Sequence, residues 1–262
     1  MTTGDLAQRE VLVSAAPPHS GRRISLSSLL VTPLMLAGAS LALYLYIQAQ
    51  TLDSIERRSI ASDVLLQRTI EHLQLVAVST VLVIAIAVPL GVLLTRPGFS
   101  QLRSPILALA NGGQAVPSIG VLVLLAIWVS TGFGPAIVAL VIYAVLPVLR
   151  NTMVGLEGVD RALIDAGKGM GLTKLQVLLK VELPLAVPVI LAGIRIALII
   201  NVGVATLAAF TNAGGLGSVI NAGIVLNRIP VLVVGSVLTA VLALTVDWLA
   251  GLAEQVLRPR GI

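Results

Sequence analysis

The sequence predicts an all-α integral membrane protein of about six transmembrane helices, and three observations carry that prediction. Only 11% of the 262 residues are charged, while 57% are hydrophobic and the mean hydropathy is +1.02; a soluble domain carries roughly a quarter charged residues. Six apolar runs reach or approach the ~20 residues needed to cross a hydrocarbon core. The longest polar interruption within the apolar region, residues 159–184, reads VDRALIDAGKGMGLTKLQVLLKVELP and has spanning-length segments on both sides. The absence of cysteine excludes disulfides and thiolate metal sites. His19 and His72 lie too far apart to make a histidine-based metal site by themselves. The net charge of +5 is explained by basic loops on one membrane face rather than by nucleic-acid binding.

Taken in order, residues 1–28 are polar, carry Pro and Ser, and are expected to be a disordered cytoplasmic N-terminus. Residues 29–47 are apolar and long enough to span. Arg22-Arg23 before them also fits a cleavable signal, but the length of the run, the lack of a following A-x-A site and the later spans favour an uncleaved anchor. Residues 48–70 mix charged and apolar positions and read as an extracytoplasmic connector containing an amphipathic interfacial helix. The second span covers residues 73–95, with Pro89 as a kink.

The third span, residues 106–130, contains Asn111-Gly112-Gly113-Gln114 and Pro117-Ser118, so it begins as a broken helix. Irregular backbone at membrane depth needs support from protein or a water-filled cavity, which makes Gln114, Pro117 and Ser118 pathway-lining candidates. Residues 135–148 form a short fourth span that Arg150 is expected to stop. The fifth, residues 185–211, is interrupted by Pro188, Gly193, Arg195 and Asn201, and Asn201 joins the pathway candidates. Close packing through small residues is the competing reading for these segments. A tight turn over residues 212–217 and a short helix to Arg228 lead to the sixth span, residues 231–256, and a cytoplasmic tail, 257–262.

Lys and Arg settle the orientation. Arg9, Arg22, Arg23, Arg96, Arg103, Arg150, Arg161, Lys168, Lys174, Lys180, Arg258 and Arg260, twelve of 17, fall on one side. By the positive-inside rule that side is cytoplasmic, so both termini and residues 159–184 face the cytoplasm. Within this stretch Asp160 is a candidate N-cap for a helix over 161–168. Gly167, Gly169 and Gly171 then disfavour continued helix by about 1 kcal/mol each. Thr173 and Gln176 have the spacing of a capping box that starts a second helix, and Pro184 marks entry to the next span. Helix, glycine corner, helix suits insertion into a partner's groove, and also an ordinary interfacial loop. Arg195 and Asp247 are intramembrane charges, each about 16 Å from the cytoplasmic end at ~1.5 Å per residue. An unpaired charge there is costly, so the two are expected to pair or to face a shared aqueous space.

The stretch Asp165-Ala166-Gly167, three residues, Gly171, nine residues, Val181-Glu182-Leu183-Pro184 resembles the EAA motif of ABC importer permeases. The family pattern is E-A-A, three residues, G, nine residues, I-x-L-P. Asp stands for Glu, Gly for the second Ala and Val for Ile, with the spacing intact. The resemblance implies a type I importer: a five-helix core over residues 71–256, with the N-terminal helix as an addition. It implies that 159–184 is the coupling loop, with Asp165, Ala166, Gly167, Gly171, Val181, Leu183 and Pro184 meeting a cytoplasmic ATPase. EHLQLVAVST, QAVPS, LPVLRNTMVGL, VELPLAVPVILAGIR and ATLAAFTNAGGLG further resemble permeases for osmoprotectants such as glycine betaine, choline and carnitine. Implied partners are ATP-binding subunits, a second identical or sister permease chain, an extracytoplasmic substrate-binding protein and the bilayer of a bacterial plasma membrane.

The chain itself has no G-x-x-x-x-G-K-[ST], since Gly167-Lys168 is followed by Gly169. It is therefore expected not to be an enzyme and to need no cofactor, ATP and Mg being used by the partner. Quaternary ammonium groups are held by aromatic cages, yet Phe99, Phe133, Phe210, Trp128, Trp248, Tyr44, Tyr46 and Tyr143 are scattered. Selectivity is thus expected in the binding protein. Permeases for methionine, taurine or other sulfonates, and nitrate share such a coupling loop and are the alternatives. A secondary transporter would place more acids or histidines in the membrane than Asp247, and a non-transporting scaffold would show no ATP-dependent flux.

Overall fold

The computed structural model describes residues 26–257; the expectations for residues 1–25 and 258–262 lie outside them. The described residues fall into two units that part after Met35. The division falls inside helix α1, Leu26–Gln48, which presents Leu34, Met35, Leu41 and Tyr44 outward. Among the described residues five helices have the length and apolarity of a span, and a sixth arises if a bent pair is counted as one.

In the second unit, α2 (Ser54–Ser59) starts at a capping box between Asp53 and Glu56 and ends at Ile60. The chain then enters α3 (Ser62–Leu94), whose 33 residues make a helix about 50 Å long. The amphipathic helix expected within 48–70 takes the form of the short capped α2 and the first turns of α3. The reason is local: Asp53 and Glu56 close a cap on each other, and backbone amides released at a break must be satisfied.

Helices α4 (Ser100–Ala115) and α5 (Ser118–Trp128) make the bent pair, with 94° between their axes. Helix α6 runs Phe133–Glu157 and does not stop at Arg150. That guanidinium instead donates to Asn111 Oδ1 at 2.7 Å, and a charge that finds a partner at a helix flank does not end the helix. After α7 (Arg161–Gly169) and α8 (Lys174–Val177), a π turn at Leu178–Glu182 leads directly into α9 (Leu183–Ala208). Helices α10 (Gly217–Val225) and α11 (Ile229–Leu257) complete the chain.

The core forms where α3, α6 and α9 meet. Leu75, Leu140 and Val202 fill one layer, Val83, Leu149, Met153 and Ala197 the next, and Leu156, Ala186 and Ile190 the last. Small residues set the spacing between these helices, as van der Waals association in lipid requires. A Cβ at Gly193 would stand 2.6 Å from Asn151 Cβ, and one at Gly217 only 1.9 Å from the Thr206 carbonyl oxygen. Apolar side chains also remain outward, such as Leu109 and Trp128, each nearly four-fifths exposed, as expected of lipid- or partner-facing surface.

Candidate functional site

The stretch 159–184 folds as a compact corner, and each turn of it has a local cause. Asp160 caps α7 by accepting from the Ala162 amide at 2.9 Å. Gly171 sits at φ +84°, a left-handed position that only glycine takes at no cost, and reverses the chain there. Thr173 accepts from the Gln176 amide and the Gln176 side chain accepts from the Thr173 amide, closing the expected capping box on α8. Gly167 lays α7 on the second arm: a Cβ there would meet Val181, Val177 and Leu172 at 3.5 to 3.7 Å. That is ordinary contact, so the alanine of the family pattern also fits.

Asp165 is exposed on the outer side of α7, paired only with Lys168 one turn on at 2.9 Å, and Ala166 is exposed beside it. Met170, Leu175 and Leu179 are likewise more than half exposed. Val181, Leu183 and Pro184 are half-buried at the root of α9, where Pro184 occupies a first-turn position that needs no amide hydrogen. The corner therefore presents a mixed polar and apolar face, with α7 and α8 each capped by a side chain of the stretch itself.

Two residues that the motif reading passed over anchor the corner. Glu182 is buried, and both its oxygens accept from Arg96, from Nη1 at 3.2 Å and from Nη2 at 2.5 Å. Nearby, Arg103 binds Glu157 in the same two-pronged way, joining α4 to α6. The available signal was simple: a carboxylate inside an apolar motif needs a cationic partner.

Of the pathway candidates, Gln114, Pro117 and Ser118 gather at the bend between α4 and α5, Pro117 exposed and the other two half-buried. The bend is clasped to α6. Pro147 has no amide hydrogen, which frees the carbonyl of Tyr143 four residues earlier. Gln114 Nε2 donates to that carbonyl at 2.5 Å, while the Tyr143 hydroxyl donates back to the carbonyl of Val116.

Asn201 is a different case and corrects the expectation. It is fully buried and its amide donates to Thr80 Oγ1 at 3.0 Å, so it sits in the packing between α9 and α3 and lines no wall. A buried amide is kept by its hydrogen bond, here an interhelical one. Arg195 and Asp247 meet as a two-pronged pair, 2.5 and 2.8 Å, with Glu254 3.8 Å from the same guanidinium, and this joins α9 to α11.

At the opposite end of the bundle, Gly214 and Gly215, both at positive φ, turn the chain before α10. Glu71 accepts from the Gly215 amide at 2.9 Å and from Arg68 at 2.8 Å. His72, fully buried, bonds the carbonyl of Val202 at 3.1 Å. A cleft of about 650 Å³ opens here, lined among others by Arg68, Glu71, Asn212, Ser218 and Asn221. Asp53 pairs with Arg228 at 2.6 Å. The Glu56 amide, and after it the Arg228 guanidinium, hold the Asp53 carboxyl below its ordinary range despite some desolvation. No group of three or more metal-binding side chains occurs among the described residues.

A family model described as "binding-protein-dependent transport system inner membrane component" matches residues 87–259. The choline transport system permease protein OpuBB of Bacillus subtilis (strain 168) is 41% identical over 198 residues, covering 76% of this chain and 90% of that protein. The osmoprotectant import permease protein OsmY of Salmonella typhimurium is 40% identical over 222 residues, or 85% of this chain and 93% of that one. A solved structure described as inward-facing conformations of the MetNI methionine ABC transporter superposes with a TM-score of 0.65 at 30% identity, covering 74% of this chain and 97% of that chain. An amino acid ABC transporter superposes at 0.64 with 17% identity, which speaks to the fold alone. With the motif folded as a capped corner at the root of α9 and the family match running from α3 through α11, this chain belongs to the inner membrane components of binding-protein-dependent transport systems.

Proposed function

We propose that the chain is the permease of an ATP-driven importer for osmoprotectants, carrying small quaternary amines such as glycine betaine, choline or carnitine. The observation that carries this reading is the corner, a self-capped helix–glycine–helix element with Asp165, Ala166, Gly167 and Gly171 in the motif spacing and Asp165 and Ala166 exposed. The relatives named for choline and osmoprotectant transport support the substrate class. Two permease chains, identical or sister, form the pathway across the bilayer of the plasma membrane, with both termini cytoplasmic. Two ATPase subunits hold ATP and Mg, grip Asp165 to Pro184 and close on ATP, turning the pathway outward to an external binding protein that sets selectivity. This chain hydrolyses nothing itself. The layout follows: residues 29–47 an anchor, 48–70 an extracytoplasmic connector, and 71–256 the transport core. The bend at Gln114, Pro117 and Ser118 lines the pathway.

The test is reconstitution of the chain with the ATPase and binding protein that copurify with it. ATP-dependent uptake of labelled glycine betaine, choline or carnitine is the expected result. Uptake of methionine instead, the solute named for the structural neighbour at 30% identity, would move the chain to the alternative branch. Uptake without any ATPase would make it a secondary carrier.

A further inference from the structure

We infer that Arg96 and Glu182 are the tie through which the corner moves α3, which makes them positioning residues of the transport cycle; the inference rests on the corner being the ATPase-docking element. Glu182 is the last residue of the π turn, one step before α9, and its side chain is only 9% exposed. Arg96 follows α3 directly and clasps both carboxylate oxygens. Its Nε also points at 3.4 Å to the carbonyl of Val92 in the last turn of α3, which accepts from the Thr95 hydroxyl as well. One guanidinium therefore touches the end of α3 and the root of the corner at once. A two-pronged contact of this kind fixes orientation as well as distance.

The pair stands alone in this task. Among the described residues, every other hydrogen bond or ion pair made by a side chain of 159–184 closes within that stretch: Asp160 on Ala162, Lys168 on Asp165, Thr173 with Gln176. The corner is continuous with α9 through the backbone, so a push on it moves α9 directly. Among the described residues, the only side-chain hydrogen bond or ion pair it makes outside itself is Glu182 to Arg96, 86 residues away in the sequence. Further along, Thr80 with Asn201 and His72 with Val202 keep α3 and α9 together. Glu182 with Arg96 is thus the rung at which force enters a pair of helices already joined above it.

The π turn gives the clamp a second task. Such turns are rare and recur as single bulges at functional sites. Relaxing one to α geometry would rotate the corner about 100° against α9, the angle of one residue. A bidentate clamp on its final residue holds that register. Carboxylates this buried also lose their compensation when the partner is removed, which leaves the turn poorly defined.

The chain has no cysteine, so spin labels can be placed at two chosen sites without background. In the intact complex with its ATPase, labels at V81C on α3 and R161C on α7, outside the stretch proposed to meet the ATPase, report whether the two move together; both side chains are exposed. The expected result is an unchanged distance between nucleotide-free and ATP–vanadate-trapped states in wild type. In E182Q and in R96Q a shift of several ångströms is expected, with the ATPase still copurifying and at least fivefold more ATP hydrolysed per glycine betaine imported. The exchange R96E/E182R restores at least half of the wild-type ratio. Wild-type distances and ratios in both single variants would overturn the tie, and so would losses in R96Q and E182Q that add in the double variant R96Q/E182Q. A wild-type chain that retains no ATPase would instead overturn the docking reading beneath it.

Discussion

The two ends of the bundle are built on opposite plans. At the corner end, the stretch proposed to dock is stabilised by its own caps; besides apolar packing of Leu178 and Leu183 on the core, its one side-chain polar link outward among the described residues is Glu182 with Arg96. At the far end, the turn before α10 depends on its surroundings: Glu71 supplies the acceptor for the Gly215 amide, and Gly217 lies against the Thr206 carbonyl. A self-contained element can be pushed as a unit without unfolding, whereas an element satisfied by its neighbours moves only when they do.

Substitutions at each end test that difference. The largest loss of stability is expected for Gly217→Val. Its Cβ would overlap the Thr206 carbonyl, backbone that cannot give way, and overpacking of this kind costs about 3 kcal/mol or more. Failure to recover monodisperse protein in detergent is the readout. Next comes Glu71→Ala, which leaves the Gly215 amide and Arg68 without their acceptor and costs about 1–3 kcal/mol, seen as a lowered melting temperature. Tyr143→Phe and Gln114→Ala each remove one arm of the clasp at the α4–α5 bend, for about 1 kcal/mol apiece. Their effects should be less than additive in the double variant, because both arms hold one bend.

Asp165→Ala sharpens the comparison from the other side. Its pair with Lys168 is exposed, so stability should change by less than about 0.5 kcal/mol while retention of the ATPase falls. A melting point that drops as far as in Glu71→Ala would show that the corner is not self-contained. The smallest effect concerns Asp53. Its carboxyl is held below the ordinary value of about 3.9, so its contribution is present above that pH and fades only as pH falls through the lowered folded value. Asp53→Asn should abolish that acid-side dependence of the α2 cap while leaving behaviour near neutrality almost unchanged.

Much of the fold was legible because hydropathy and punctuation act locally. The apolar runs marked the spans, and Asp160, Gly171, Thr173 and Pro184 marked the corner residue by residue, since caps and left-handed positions are satisfied within a few residues. Arg150 marks no end of α6, which runs on to Glu157, and that its guanidinium meets Asn111 on another helix could not be read from the sequence. Asn201 misled for a related reason: a polar residue in an apolar span signals a needed partner, and whether that partner is water or Thr80 depends on which helices touch. Asp247 and Arg195 were recognisable as a problem in charge, but the nearby Glu254 was not.

What the sequence by itself determined is the class of molecule and the corner with its motif. Both follow from composition and from interactions between near neighbours. The tertiary structure alone decided the 94° bend and its clasp on Tyr143, the burial of Asn201, and the joining of Arg96 to Glu182 across 86 residues. Those contacts exist because α3, α6 and α9 pack closely on small residues. Local sequence states that a buried charge or a freed carbonyl must be satisfied; only the packing of distant helices determines by what.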